Sequence, residues 1–261
     1  MDDIFGLRDK VVTVIGGGLG IGEASCRAFA AVGAKVGVVD IDGERAARVA
    51  SAISENGGQA HPITADVLAP DAPDKCVGAV LNHFGRADVL VTVVGQAQFG
   101  PFVDLTRETW DAQHAFNLKY FAFFAQAFAK AMIAGGHGGA ISAVASVSGT
   151  QSAPNHAAYG AAKAGLINLV RSLAVELAPK NVRINCVSRG SIATPRNNRP
   201  EMGVIVANSL IPFKRRGTCE EIANGLLYLS SDLATYVTGH NLCVDGGFMA
   251  QWLLGDLHTT S

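Results

Sequence analysis

Tyr159 and Lys163 stand four residues apart within Ala157 to Leu177, an Ala- and Leu-rich stretch, so on a helix their side chains share one face. A phenol beside an ammonium group ionises more readily because the positive charge stabilises the phenolate. Such a pair can exchange a proton with a bound molecule near neutral pH. A Tyr and a Lys at this spacing are also common on ordinary surfaces, so the pair draws its meaning from what accompanies it. Ser146, thirteen residues before Tyr159, offers a hydroxyl that can donate to an oxygen on which charge develops. Ser148 is its rival for that role, and a structural loop serine is the plain alternative for both.

A second group of residues points to a dinucleotide. Gly16-Gly17-Gly18-Leu19-Gly20-Ile21-Gly22 lies between an apolar run, Val11 to Ile15, and the helix formers of Ala24 to Val32. The chain must turn sharply there and admit a diphosphate against its backbone, and glycine meets both needs. Unpaired N–H groups at the helix start and the positive end of its dipole then face the phosphates. Asp40 closes the next apolar run about twenty residues on, where a carboxylate can accept hydrogen bonds from both adenosine ribose hydroxyls. A carboxylate there repels a 2′-phosphate, Leu19 is not basic, and Ile41-Asp42 adds no basic residue, which favours NAD(H) over NADP(H). Asp66 and Val67 can bracket the adenine by a carboxylate-to-amino bond and an apolar contact.

These residues need a scaffold that brings them to one edge. Short apolar runs at Val11–Ile15, Lys35–Val39, Ala60–Thr64, Val89–Val94, Ala140–Ala145, Arg183–Val187 and Leu242–Val244 alternate with helical stretches. That alternation predicts an α/β fold, a doubly wound Rossmann-like domain with a seven-stranded parallel sheet flanked by helices. The runs are apolar throughout, as expected where helices cover both sheet faces. The helix expected over Asn117 to Met132 carries Leu118, Tyr120, Phe121, Phe123, Phe124, Phe128 and Met132 around nearly its whole circumference, followed by Ile133. One face is expected on the sheet and another on a second subunit.

Composition narrows the function classes. A chain of 261 residues without a low-complexity linker reads as one domain over 1–261, and a net charge of −1 argues against nucleic-acid binding through excess positive charge. The start, MDDIFGLRDK, lacks the basic and apolar regions of a secretory signal, and no uninterrupted apolar run reaches membrane-spanning length. A soluble cytoplasmic protein is expected, with small molecules and copies of itself as partners. The five cysteines lack CxxC spacing and the seven histidines form no HxxxH or HExxH pattern, so neither disulfides nor a metal centre are expected.

Taken together, the chain resembles the short-chain dehydrogenase/reductase family, YxxxK type, over essentially its whole length. The resemblance rests on Gly16, Gly20, Gly22, Asp40, Asp66, Asn117, Ser146 and Tyr159-Gly160-Ala161-Ala162-Lys163. It extends to Gly190-Ser191-Ile192-Ala193-Thr194, Tyr236-Val237-Thr238-Gly239 and Val244-Asp245-Gly246-Gly247. It implies that Tyr159 is the acid or base on the substrate oxygen and that Ser146 donates to that oxygen. Lys163 would bind the nicotinamide ribose, and Asn117 would hold a water linking Lys163 to solvent. Gly18, Leu19, Ile21, Ile41, Val67, Gly95 and Gly190 join the cofactor contacts, with Ile192 and Thr194 holding the carboxamide and diphosphate. The implied activity is NAD(H)-dependent interconversion of a secondary alcohol and a ketone, in a homotetramer. A 3-oxoacyl-thioester reductase and a non-catalytic NAD-binding sensor are the rivals.

Three positions depart from the family pattern. Ile15 replaces a threonine, Thr92-Val93-Val94-Gly95 replaces NNAG, and Arg189 replaces the proline before Gly190. The first two read as compensated changes, apolar on both neighbouring strand ends. Arg189, with Arg196 and Arg199 beyond it, can bind a carboxylate or other anion, or face solvent. Three loops, Gln96 to Phe102, Ser148 to His156 and Ser191 to Phe213, should shape the substrate pocket. They supply Phe99, Phe102, Met202, Val204, Ile205 and Phe213, with Gln98, Gln151, Asn155 and His156 as polar options, which suits an apolar or aromatic ketone. The stretch 191–213 is expected to close as a lid, and the tail Phe248 to Leu254, with Trp252, to reach another subunit.

Overall fold

The computed structural model describes residues 3–197 and 211–251. Seven strands, β1 (Val11–Ile15), β2 (Lys35–Asp40), β3 (Gln59–Thr64), β4 (Val89–Thr92), β5 (Gly139–Ser146), β6 (Val182–Arg189) and β7 (Asn241–Val244), form one sheet in the order β3-β2-β1-β4-β5-β6-β7. Every pairing is parallel. The helices are α1 (Ile21–Ala31), α2 (Gly43–Glu55), α3 (Ala72–Phe84), α4 (Arg107–His114), α5 (Tyr120–Ala134), α6 (Ala157–Leu177) and α7 (Cys219–Ser230). The period-two alternation of a strand divides them between two layers. Val12 and Val14 pack with Phe29 of α1, Val49 of α2 and Leu226 of α7, while Val11 and Ile15 pack with Val80 of α3, Phe121 of α5 and Leu166 of α6. Strand order reverses between β1 and β4, which opens a crevice at their carboxyl ends, where such sheets bind ligands.

Two local differences from the sequence expectation shape that crevice. The strand expected over Val89–Val94 ends at Thr92; the Val93 N–H donates to Ile15 O at 3.0 Å, and the chain then leaves the sheet. The helix expected from Asn117 becomes α-helical only at Tyr120, because Ala115–Lys119 forms a π turn. The widened turn turns Asn117 inward, where it is buried, and such turns recur at functional sites.

Ile15 and Val94 share one apolar cluster, as the idea of matched replacement requires, yet the compensation is incomplete. Thr92, level with Ile15 across the β1–β4 ladder, keeps a buried hydroxyl without a hydrogen-bond partner. Its neighbour, the Tyr120 phenol, donates instead to Val94 O at 2.7 Å.

Candidate active site

The reacting end is assembled from β5, β6 and the start of α6. Ser146 ends β5 and the chain turns at once through Val147–Gly149. That turn lies hard on α6: a Cβ on Gly149 would stand 2.7 Å from the carbonyl carbon of Lys163. Glycine therefore sets how closely the serine turn approaches the helix carrying Tyr159 and Lys163. The Ser148 N–H donates to Ser146 Oγ at 3.1 Å, so the Ser146 hydroxyl is oriented with its own proton available to a ligand. This distinguishes the two serines, with Ser146 buried beside Tyr159 and Ser148 on an outer groove.

Tyr159 and Lys163 are both buried on one face of α6, and Lys163 Nζ lies 5.9 Å from the Tyr159 ring centroid. Burial pushes the phenol up, but the charges of Lys163 and Arg189 and hydrogen bonding from Ser146 and Arg189 outweigh it, so Tyr159 lies below an ordinary phenol. Burial also lowers the Lys163 ammonium, opposed by Tyr159 and reinforced by the Arg189 charge. Lys163 is anchored by donation to Val144 O at 3.0 Å. Asn117 donates to Gln96 O and Gln113 O, both at 2.9 Å, and accepts from the Gln96 N–H at 3.2 Å. Gly95 separates the two residues: a Cβ there would meet Asn117 Oδ1 at 3.1 Å and Lys163 Nζ at 3.2 Å.

A cavity of about 330 Å³ occupies the crevice; Gly95, Gln96 and Arg189 line it nearest this end, whereas Asn117, Ser146, Tyr159 and Lys163 do not line it. Gly16, Leu19, Gly20, Ile21, Gly22, Asp40, Ile41, Asp66, Val67, Gly95, Arg189 and Thr194 all line it, joining expected contacts from six separate stretches of chain. The glycine loop is closed by N–H groups of Gly16 and Gly17 donating to Val39 O at 2.8 and 2.7 Å. Gly20, at φ +61°, starts α1 with no side chain capping it, so the helix end offers its N–H groups to the cavity. Gly18 does not line the cavity; its N–H donates to Asp40 Oδ2 at 3.0 Å and ties the loop to β2. The donor-rich helix start with a carboxylate at the far end fits a nicotinamide dinucleotide.

The remaining expected residues are placed less simply. Gly190 packs on Asp245, and the Ile192 side chain belongs to the core, so neither side lines the cavity. Ser148, Gln151 and His156 line an outer groove of about 250 Å³, whereas Gln98, Phe99, Phe102 and Asn155 line another of about 190 Å³. Only Arg189 among the five expected substrate residues faces the dinucleotide cavity. His156 connects the regions: its ring lies 4.4 Å from Phe99 and 6.3 Å from Tyr159, centroid to centroid. Arg199, Met202, Val204, Ile205 and Trp252 lie outside the described residues, as does most of the expected lid.

A family profile described as enoyl-(acyl carrier protein) reductase matches residues 17–249. The solved structure of a short-chain type dehydrogenase/reductase from Mycobacterium marinum superposes with a TM-score of 0.90 at 32% identity, covering 95% of this chain and 99% of that one. The chain belongs to the short-chain dehydrogenase/reductase family. Another member, L-rhamnose 1-dehydrogenase (NAD(P)(+)) of Azotobacter vinelandii, is 37% identical over 249 residues, 92% of this chain and 97% of that protein. A 7α-hydroxysteroid dehydrogenase solved with NADH and 7-oxo glycochenodeoxycholic acid has a TM-score of 0.89 at 31% identity, covering 94% of this chain and 96% of that one.

Within this family member, two arrangements escaped the sequence reading. Arg45, in the first turn of α2, donates to Asp40 Oδ1 at 2.8 Å, so a guanidinium does stand at the ribose end. Its signal was a basic residue in the helix turn after Asp40, a turn that points back to the strand end. Arg216 donates to Ile192 O and, at 2.8 Å, to Asn197 Oδ1, which also accepts from the Thr194 N–H and hydroxyl. That clasp shapes the loop carrying Thr194, and no local pattern announces it.

Proposed function

We propose that this chain is an NAD(H)-dependent oxidoreductase that interconverts a secondary alcohol and a ketone, with an apolar or aromatic body to the substrate. The observation carrying this reading is the lowered Tyr159 phenol, set between the Lys163 ammonium and the Ser146 hydroxyl next to a glycine-floored cavity. The dinucleotide, when bound, supplies hydride transfer. Tyr159 takes the alcohol proton during oxidation and returns it during reduction. Ser146 donates to the same oxygen while charge develops on it. Lys163 favours the phenolate form and would hold the nicotinamide ribose of the bound dinucleotide, and Asn117 fixes Gln96 and the wall beside Lys163. Screening secondary alcohols with NAD while following NADH appearance tests the reading; no turnover across hydroxy acids, steroids and aryl carbinols would sink it.

Preference for NAD over NADP rests on Asp40. The Gly18 N–H, Asp42 N–H and Arg45 hold its carboxylate, which leaves the ribose end with a negative group and with Arg45 engaged. Asp40→Ser removes the repulsion and frees Arg45 for a 2′-phosphate. We expect the ratio of kcat/KM for NADP to that for NAD to rise about tenfold or more. An unchanged ratio counts against Asp40 as the discriminator.

A 3-oxoacyl-thioester reductase is the second reading, favoured by 35% identity over 244 residues to a 3-oxoacyl-[acyl-carrier-protein] reductase of Thermotoga maritima. Stronger NADPH-driven reduction of an acyl thioester than NAD-driven alcohol oxidation would select it. Retention of Ser146, Tyr159 and Lys163 in one buried group argues against a sensor without chemistry. The proposal extends to a single cytoplasmic domain over 1–261 that assembles as a homotetramer. Phe123 on α5, the helix expected to meet a second subunit, and Val175 on α6 are exposed, 49% and 78%. Sedimentation at the mass of one chain, independent of concentration, contradicts that assembly.

A further inference from the structure

Arg189 ends β6 level with Ser146 across the β5–β6 ladder, which puts it at the height of the reacting hydroxyl. It is half-buried and lines the dinucleotide cavity. Its charge helps to lower the Tyr159 phenol, and it donates to Gly190 O at 3.2 Å, which among the described residues leaves several of its five N–H donors for a ligand. Among the described residues no carboxylate lies within ion-pair distance of it. Asp245, at the end of the neighbouring β7, has both carboxylate oxygens engaged, accepting from the Gly247 and Met249 N–H groups at 2.9 and 2.8 Å. Among the described residues the cations Lys163 and Arg216 lie close enough to feel its charge.

A half-buried guanidinium near other cations, with no carboxylate among the described residues to pair with, is costly unless a ligand supplies the anion. The dinucleotide diphosphate is drawn to the glycine loop and the start of α1, whereas Arg189 stands beside Ser146 and Tyr159. Resting on the dehydrogenase reading above, we propose that the substrate is a hydroxy carboxylate whose carboxylate lies close in the carbon chain to the carbinol, held by Arg189. A planar fork of donors matches a carboxylate with two parallel hydrogen bonds and rejects its ester, which carries no charge and presents one good acceptor. Arg189 would thereby fix which alcohols place their hydroxyl against Tyr159 and Ser146. The Phe99 ring, with the His156 imidazole 4.4 Å from it, remains for the rest of the molecule.

The test compares lactate, mandelate and 3-hydroxybutyrate with their methyl esters, which keep the carbinol and its surroundings but lack the charge. For the wild type, Arg189→Gln and Arg189→Lys, kcat/KM with NAD is measured for each acid and ester. Binding of the same compounds to the enzyme–NADH complex is followed by NADH fluorescence. At least one acid is expected to exceed its ester tenfold or more in both readouts. Arg189→Gln should lower that acid-to-ester ratio tenfold or more, chiefly through KM, and Arg189→Lys should keep part of it. Esters equal to or better than acids throughout overturn the proposal. So does an equal loss for acid and ester in Arg189→Gln, which would place Arg189 at Tyr159 or the dinucleotide alone. Oxidation of neutral alcohols without acid preference leaves the dehydrogenase reading standing and this proposal refuted. If nothing is oxidised, here or among the steroids and aryl carbinols of the wider screen, the dehydrogenase reading fails, and acid binding that is absent or indifferent to Arg189→Gln refutes the proposal separately.

Discussion

Tyr159→Phe is expected to lower turnover by about 10²–10⁴-fold while leaving nucleotide affinity within a few-fold of wild type. The change removes one hydroxyl from a ring already buried, so packing on α6 is kept and the loss falls on proton exchange. Steady-state rates paired with an NADH fluorescence titration check it, and a variant retaining more than about a tenth of wild-type turnover would remove Tyr159 from the chemistry. The pH dependence follows with a definite sign. Oxidation needs the phenolate, which is present above the Tyr159 pKa, so the rate is lost as pH falls through it. Reduction needs the phenol and is lost as pH rises through the same value. Burial raises that pKa, and Lys163 and Arg189 outweigh it, placing the limb below an ordinary phenol. Lys163→Met removes a charge but keeps the burial, so the oxidation limb should move to higher pH; an unmoved limb assigns it to another group.

Gly22→Ala is the other change with a large expected effect. The new Cβ would lie 1.9 Å from Gly16 O and 2.7 Å from its carbonyl carbon, and neither is a side chain that can swing away. The loop must open, which separates the start of α1 from the turn that presents its N–H groups. Destabilisation of about 1–3 kcal/mol is expected from forced packing, with nucleotide affinity falling by about a hundredfold or more as the phosphate cradle is lost. Chemical denaturation and a nucleotide titration separate the two effects. Gly78→Ala on α3 is the control: nothing stands within 4 Å of its added Cβ, so the helix should gain up to about 1 kcal/mol. Similar behaviour of the two variants would mean that close approach at Gly22 does not govern the loop.

Both effects concern groups already readable along the chain. Tyr159 and Lys163 share a face because a helix repeats near four residues, and α6 runs over Ala157–Leu177 as the Ala- and Leu-rich pattern indicated. The central strands follow from apolar runs covered on both faces, whereas the edge strands β3 and β7 are partly exposed, and the loop from Gly16 to Gly22 follows from backbone sterics. What such local rules miss are contacts between distant segments. Apolar residues ran from Val89 to Val94, yet β4 stops at Thr92 because the chain leaves the sheet there to pass between Asn117 and Lys163 at Gly95. The π turn at Ala115–Lys119 has no period of its own to betray it.

Residue types, local spacing and backbone sterics determined the sheet, the dinucleotide loop and the proton-exchanging pair, because each depends on neighbours within a few positions. Tertiary structure alone decided that Arg45 engages Asp40 and that Arg189 stands level with Ser146 with no carboxylate among the described residues paired to it. Those outcomes depend on the β5–β6 register and on how closely Gly149 lets the serine turn approach α6, distances that no single segment carries.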